Sequence, residues 1–128
     1  MDIQNKKDIQ LFVDCFYDKV NVDNLLGPIF NERAAIDWAE HKPKLYDFWN
    51  SILFQSGEYK GRPFPVHLAL GKLHDYEFFR WIKLFTETID ECFKGVVAEK
   101  AKLSAKNIAN TLMFKLNVAH EGTLKIIE

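Results

Sequence analysis

Four stretches of this chain repeat apolar residues at the three- and four-residue spacing of a helix face, and none alternates strictly as a half-buried strand does. The first carries Ile9, Phe12, Val13, Phe16, Tyr17 and Val20 on one stripe. Residues 21–24 break it, with Asp23 placed to cap a short turn through Leu25 and Leu26. Gly27-Pro28 interrupts again ahead of Ile29 and Phe30. A second helix is predicted over residues 37–55, with His41, Leu45, Phe48, Trp49 and Ile52 on its stripe and Gly57 as its stop. Pro43 falls inside that span. It requires either a regular helix that begins near Glu40 or a kink beside His41.

Residues 56–64 read as loop, after which Pro65 opens a short helix carrying His67 and Leu70 and ending at Gly71. A third long helix is predicted over residues 75–94, with Phe78, Trp81, Ile82, Phe85, Ile89, Cys92 and Phe93 on one face and Gly95 just beyond its end. The last covers residues 98–117 and turns Ala101, Ala105, Ile108, Ala109, Leu112 and Leu116 inward. Past Val118 the pattern fades, so residues 118–128 are expected to fray. The expectation is an all-α protein of one domain spanning residues 1–128, with its core in residues 6–117.

Composition sharpens this outline at one point. Eleven Phe, four Tyr and three Trp make 14% of the chain aromatic. Each ring offers roughly 150–250 Å² to bury. That supply suits either a heavily packed core or a core built around a large planar ligand. The net charge of −1 lacks the basic footprint of a nucleic-acid binder. No apolar run is long enough to span a membrane, and the first residues are polar rather than signal-sequence in character. The expected compartment is the cytoplasm. Cys15 and Cys92 are far apart in sequence, which fits a reducing compartment better than a disulfide framework.

The candidate chemistry lies with two of the four histidines. His74 adjoins Asp75 at a helix start and His120 lies in the tail, so both read as solvated or capping residues. His67 sits among Phe64, Val66 and Leu68, where apolar surroundings favour the neutral imidazole that ligates metal. His41 shares the face of Leu45 and Phe48, where an unpaired polar ring would be costly. No glutamate has a histidine three positions on, and His-Glu-x-x-His, paired zinc cysteines and a phosphate-binding glycine loop are absent. Two separated histidines with many aromatics best match haem, and the lack of Cys-x-x-Cys-His makes it non-covalent. The rival is a plain core histidine in each case.

Several stretches taken together resemble the third group of the truncated haemoglobins. They are Phe16-Tyr17-Asp18-Lys19-Val20, Leu25-Leu26-Gly27-Pro28-Ile29-Phe30 and Asp37-Trp38-Ala39-Glu40-His41. Phe48-Trp49, Gly57-Glu58-Tyr59-Lys60-Gly61-Arg62-Pro63, His67 and Phe79-Arg80-Trp81-Ile82-Lys83-Leu84-Phe85 continue the match. The resemblance runs in order from about residue 6 to 117. It implies a shortened globin, a two-over-two antiparallel helical sandwich around haem b. By the same resemblance His67 is the axial iron ligand, and Tyr17, His41 and Trp81 form the distal side. Phe30 packs against the ring, while Lys44 and, more weakly, Arg62 pair with its propionates. Leu45, Phe48, Phe64 and Phe78 are the remaining candidates for the pocket wall. Asn24 and Glu77 depart from the family pattern, and both are expected away from the pocket.

The function implied is binding of O2, NO or other small ligands at a polar distal pocket. Nitric oxide dioxygenation and peroxidase-like oxidation both suit such a pocket, and either would draw on an electron-donating reductase. The alternative is a haem-based gas or redox sensor acting through a protein partner, although no output domain accompanies the pattern. A cofactor-free helical interaction module is the third reading. None of the three calls for nucleic acid or membrane.

Overall fold

A computed structural model describes residues 1–33, 36–57 and 73–127, apart from the side chains of Arg33 and of residues 116–127. Within them the chain is helical, in the order α1 (Lys6–Val22), a π-turn (Ile29–Arg33), α2 (Trp38–Phe54), α3 (Asp75–Cys92) and α4 (Val96–Ile127). No strand occurs among the described residues. The all-α expectation holds, and α1 packs on α2 and α3 while α4 packs on α3 and α2.

Local chemistry sets the helix ends. Asn5 caps α1 by accepting from the Asp8 N–H at 3.1 Å, and Asp37 caps α2 by accepting from the Glu40 N–H at 3.4 Å. Asp23 acts as read from sequence: its carboxylate accepts from the N–H groups of Leu25 and Leu26 at 3.1 and 3.0 Å. The end of α2 differs from expectation. Gln55, rather than Gly57, takes the left-handed cap position, at φ 56°. Nor does α2 begin late to avoid its proline; it starts at Trp38 and carries Pro43 inside, so the Ala39 carbonyl loses its usual helical donor. At the other end of the molecule α4 continues through Ile127, past the point where the apolar pattern fades.

The amino-terminal residues lock the turn between α3 and α4. Asp2 accepts from the N–H groups of Val97 and Ala98, both at 2.9 Å, and so caps α4 from outside the helix. Gly95 makes room for it: at φ +148° a Cβ there would lie 2.5 Å from the Asp2 carboxylate. Glycine was expected at this place as a helix terminator, but α3 already ends at Cys92 with Phe93 as its cap. Burial raises the Asp2 carboxyl, yet the N–H bonds from Val97, Ala98 and Ile3 outweigh it and hold the group below its usual range.

The core is aromatic and interlocked. Phe12, fully buried on α1, meets Trp49 of α2, Phe85 of α3 and Phe93 edge-on at 5.9, 5.8 and 6.5 Å. Trp49 stacks on Phe85 at 4.9 Å. Such pairs contribute about 0.5–1.5 kcal/mol each beyond the area they bury. Much of the aromatic supply is therefore ordinary core.

Candidate functional site

Tyr17 follows Phe16 on the inward stripe of α1 and is 5% exposed. Its ring packs on Phe16 at 4.7 Å, on Trp38 at 5.1 Å and on Phe30 at 6.2 Å. The Tyr17 hydroxyl faces Trp81 on α3, whose indole favours the ionised phenol slightly. An indole N–H only donates, so the phenol oxygen must accept. An indole in that place leaves the phenol proton free to serve another acceptor. Burial pushes the phenol well above its ordinary pKa, against a smaller lowering by the Trp81 bond, so the proton is held at neutral pH.

Trp81 is fixed in turn. Its ring stacks on Phe85 at 5.7 Å with 17° between planes, and meets Phe16 edge-on at 5.4 Å. Two aromatic neighbours leave the indole little rotational freedom beside the phenol. Arg80, beside it on α3, reaches Asp23 at 3.4 Å and ties the helix to the turn after α1.

Beside this pair lies an apolar cleft open to solvent. Leu26, Ile29 and Phe30 form one wall from the turns after α1; Phe78 and Trp81 come from α3, Ala109 and Leu112 from α4, and Leu73 precedes α3. The lining also includes Glu77, 6% exposed, whose Oε1 accepts from the His74 N–H at 2.8 Å. This corrects the reading that placed Glu77 away from the pocket. Its position four residues before Trp81 puts it on the α3 face that turns toward the cleft.

Of the residues expected at a site, Phe30, Phe78 and Trp81 line this cleft, and Tyr17 reaches it through Trp81 and Phe30. His41 is half-buried on α2, with its ring 5.9 Å from Trp38. Trp38 therefore touches both Tyr17 and His41, and its Nε1–H donates to Asn31 Oδ1 at 3.0 Å. Sequence reasoning gave Trp38 no role, although its place three residues before His41 puts the two on one helix face. Leu45 and Phe48 pack against the main core rather than line the cleft, Phe48 with its ring 5.5 Å from Trp49. Lys44 is exposed and lies 3.6 Å from Glu40, one turn earlier. Arg62, Phe64 and His67 lie outside the described residues.

Among the described residues no cluster of three or more His, Cys, Asp or Glu could hold a metal ion, and no helix is long and apolar enough to cross a membrane. What the arrangement offers is an apolar, aromatic slot with a buried hydroxyl and an indole donor at one edge. Such a slot suits a flat apolar ligand and a small polar one beside it.

No family model matches the chain. It is 36% identical over 115 residues to the curated protein "Group 3 truncated hemoglobin ctb" of Campylobacter jejuni, covering 84% of this chain and 91% of that protein. Among solved structures, it is similar to the crystal structure of group III truncated haemoglobin from Campylobacter jejuni, with a TM-score of 0.81 and 33% identity. That match covers 91% of this chain and 94% of the other.

Proposed function

The chain belongs to the group III truncated haemoglobins, and on that premise we propose that it holds haem b non-covalently and binds O2, NO or a similar small ligand beside Tyr17 and Trp81. The observation that carries the reading is the cleft itself: aromatic and aliphatic on nearly every side, with the Tyr17–Trp81 pair at its edge. A porphyrin needs flat apolar walls, and Phe30, Phe78, Leu26 and Leu112 supply them. When bound, the haem iron supplies the coordination position at which a diatomic ligand sits. His67 is assigned as the residue that would hold the iron, by its match to the family motif.

The protein's own contribution is at the edge of the cleft. Tyr17 presents a phenol proton that burial keeps in place, and Trp81 orients it by donating to its oxygen. A polarised ligand that accepts from this hydroxyl is held longer than one facing apolar side chains alone. Trp38 stands next to Tyr17, with His41 beyond it on α2, and the two limit access of water from that side. Retention of this kind suits ligand activation with electrons from a reductase, as in nitric oxide dioxygenation, better than rapid release. Lys44 and Arg62 are assigned to the haem propionates; the exposure of Lys44 leaves its ammonium able to turn to such a partner.

The reading is tested by titrating hemin into the purified full chain. It predicts saturable one-to-one uptake with an intense Soret band and quenching of tryptophan fluorescence, since Trp81 lines the cleft. A chain that stays colourless through the titration contradicts it.

A further inference from the structure

Cys15 and Cys92 are far apart in sequence, but the packing of α1 on α3 sets them side by side. Helix spacing requires this. Three residues before Cys15, Phe12 meets Phe93 at 6.5 Å; four residues after it, the Lys19 ammonium bonds the Glu91 carboxylate at 2.8 Å. Cys15 lies on the same face of α1 as both, and Cys92 lies between Phe93 and Glu91. The two thiols are close enough for each to act on the other's charge, and both are half-buried and unbridged. This revises the picture of two separated cysteines.

We propose that Cys15 and Cys92 are a reversible dithiol–disulfide pair that staples α1 to α3 under oxidising conditions. The oxidant is a low-molecular-weight disulfide such as oxidised glutathione. One cysteine thiolate attacks it, forming a mixed disulfide and releasing one glutathione thiolate. The second cysteine then attacks the protein sulfur of that mixed disulfide and releases the second glutathione. The two protons lost by the cysteines pass to the two glutathione thiolates, so two thiols are oxidised and one disulfide is reduced. In a reducing compartment such a bridge is transient and responds to redox poise, rather than acting as permanent framework. Burial, Cys15 and the Glu91 carboxylate push the Cys92 thiol up, which keeps the pair reduced and slow to react until oxidant persists.

The bridge has a place to act. α1 carries Tyr17 two residues after Cys15, and α3 carries Trp81. A covalent tie between these helices fixes the interface across which the indole meets the phenol.

The test is to equilibrate the full chain in glutathione buffers of increasing oxidised fraction, quench with acid, alkylate and map by mass. The expected product is a monomer lighter by two hydrogen atoms, without alkylatable thiols, and with one peptide pair joined through Cys15 and Cys92. Dithiothreitol restores the original mass, and the oxidised form melts on the order of 10 °C higher because the bridge closes a long loop. Cys15→Ser and Cys92→Ser each trap the mixed glutathione adduct instead. If the wild-type chain retains a glutathione adduct, joins two copies of itself, or keeps two alkylatable thiols in the most oxidising buffer, the proposal fails.

Discussion

The Trp81 indole faces the Tyr17 phenol across the interface of α3 and α1, and Trp81 itself lines the apolar cleft. An indole N–H can only donate to a phenol oxygen. Because the phenol oxygen is the acceptor, its proton stays available to a third group, and that group is assigned as the bound ligand.

Tyr17→Phe removes the donor and keeps the ring, whose contacts with Phe16, Trp38 and Phe30 hold the wall together. Loss of one hydrogen bond to a polarised ligand is worth about 1–2 kcal/mol. Dissociation of O2 from the reduced, haem-loaded variant is expected to be roughly 5- to 30-fold faster by stopped flow. Trp81→Phe is expected to speed release by less, because the phenol remains but loses its orienting partner.

Glu77 is buried against the cleft and satisfies the His74 N–H that begins α3. Glu77→Ala leaves that donor without its acceptor and is expected to lower stability by about 1–2 kcal/mol in urea unfolding. Glu77→Gln preserves an acceptor oxygen and is expected to stay close to wild type. Equal losses in the two variants would locate the effect in the charge instead of the cap.

Asp2 sets a pH dependence on the docking of the amino terminus. Its folded carboxyl is held below the usual range despite burial, by N–H groups of Val97, Ala98 and Ile3. A depressed folded pKa gives stability that is present above the unfolded value and lost as pH falls through the folded one. Asp2→Asn should therefore lower the melting temperature at neutral pH. The difference from wild type should close as pH drops below about 4, the ordinary range of this carboxyl.

Phe12 sits where three helices and the α3 cap meet, touching Trp49, Phe85 and Phe93. Phe12→Ala empties that centre and is expected to cost about 3–5 kcal/mol, measured by denaturant unfolding. A loss under 1 kcal/mol would show that the aromatic cluster is not the core.

Much of this was legible in the sequence because helix periodicity is local. The stripes of α1 and α3 name Phe12, Phe16, Tyr17 and Phe85, and all four are buried. Capping by Asp23 depends on residues two and three positions on, and sequence spacing finds it. What spacing could not find was long-range. Asp2 capping α4 joins residues at opposite ends of the chain, and so gives Gly95 a role that no local rule predicts. Cys15 and Cys92 are neighbours only because α1 lies on α3. Glu77 was misjudged for a related reason: a charged residue on a helix reads as solvated until a facing helix covers it. Leu45 and Phe48 share a stripe with His41, and both pack against the core.

His67→Ala tests the central claim most directly. The account assigns His67 as the iron's axial ligand, so hemin added to this variant should bind weakly, with a displaced and broadened Soret band. Added imidazole should restore a spectrum close to that of the wild-type protein by filling the missing position. A His67→Ala protein that takes up hemin with wild-type affinity and spectrum, and does not respond to imidazole, would contradict the account.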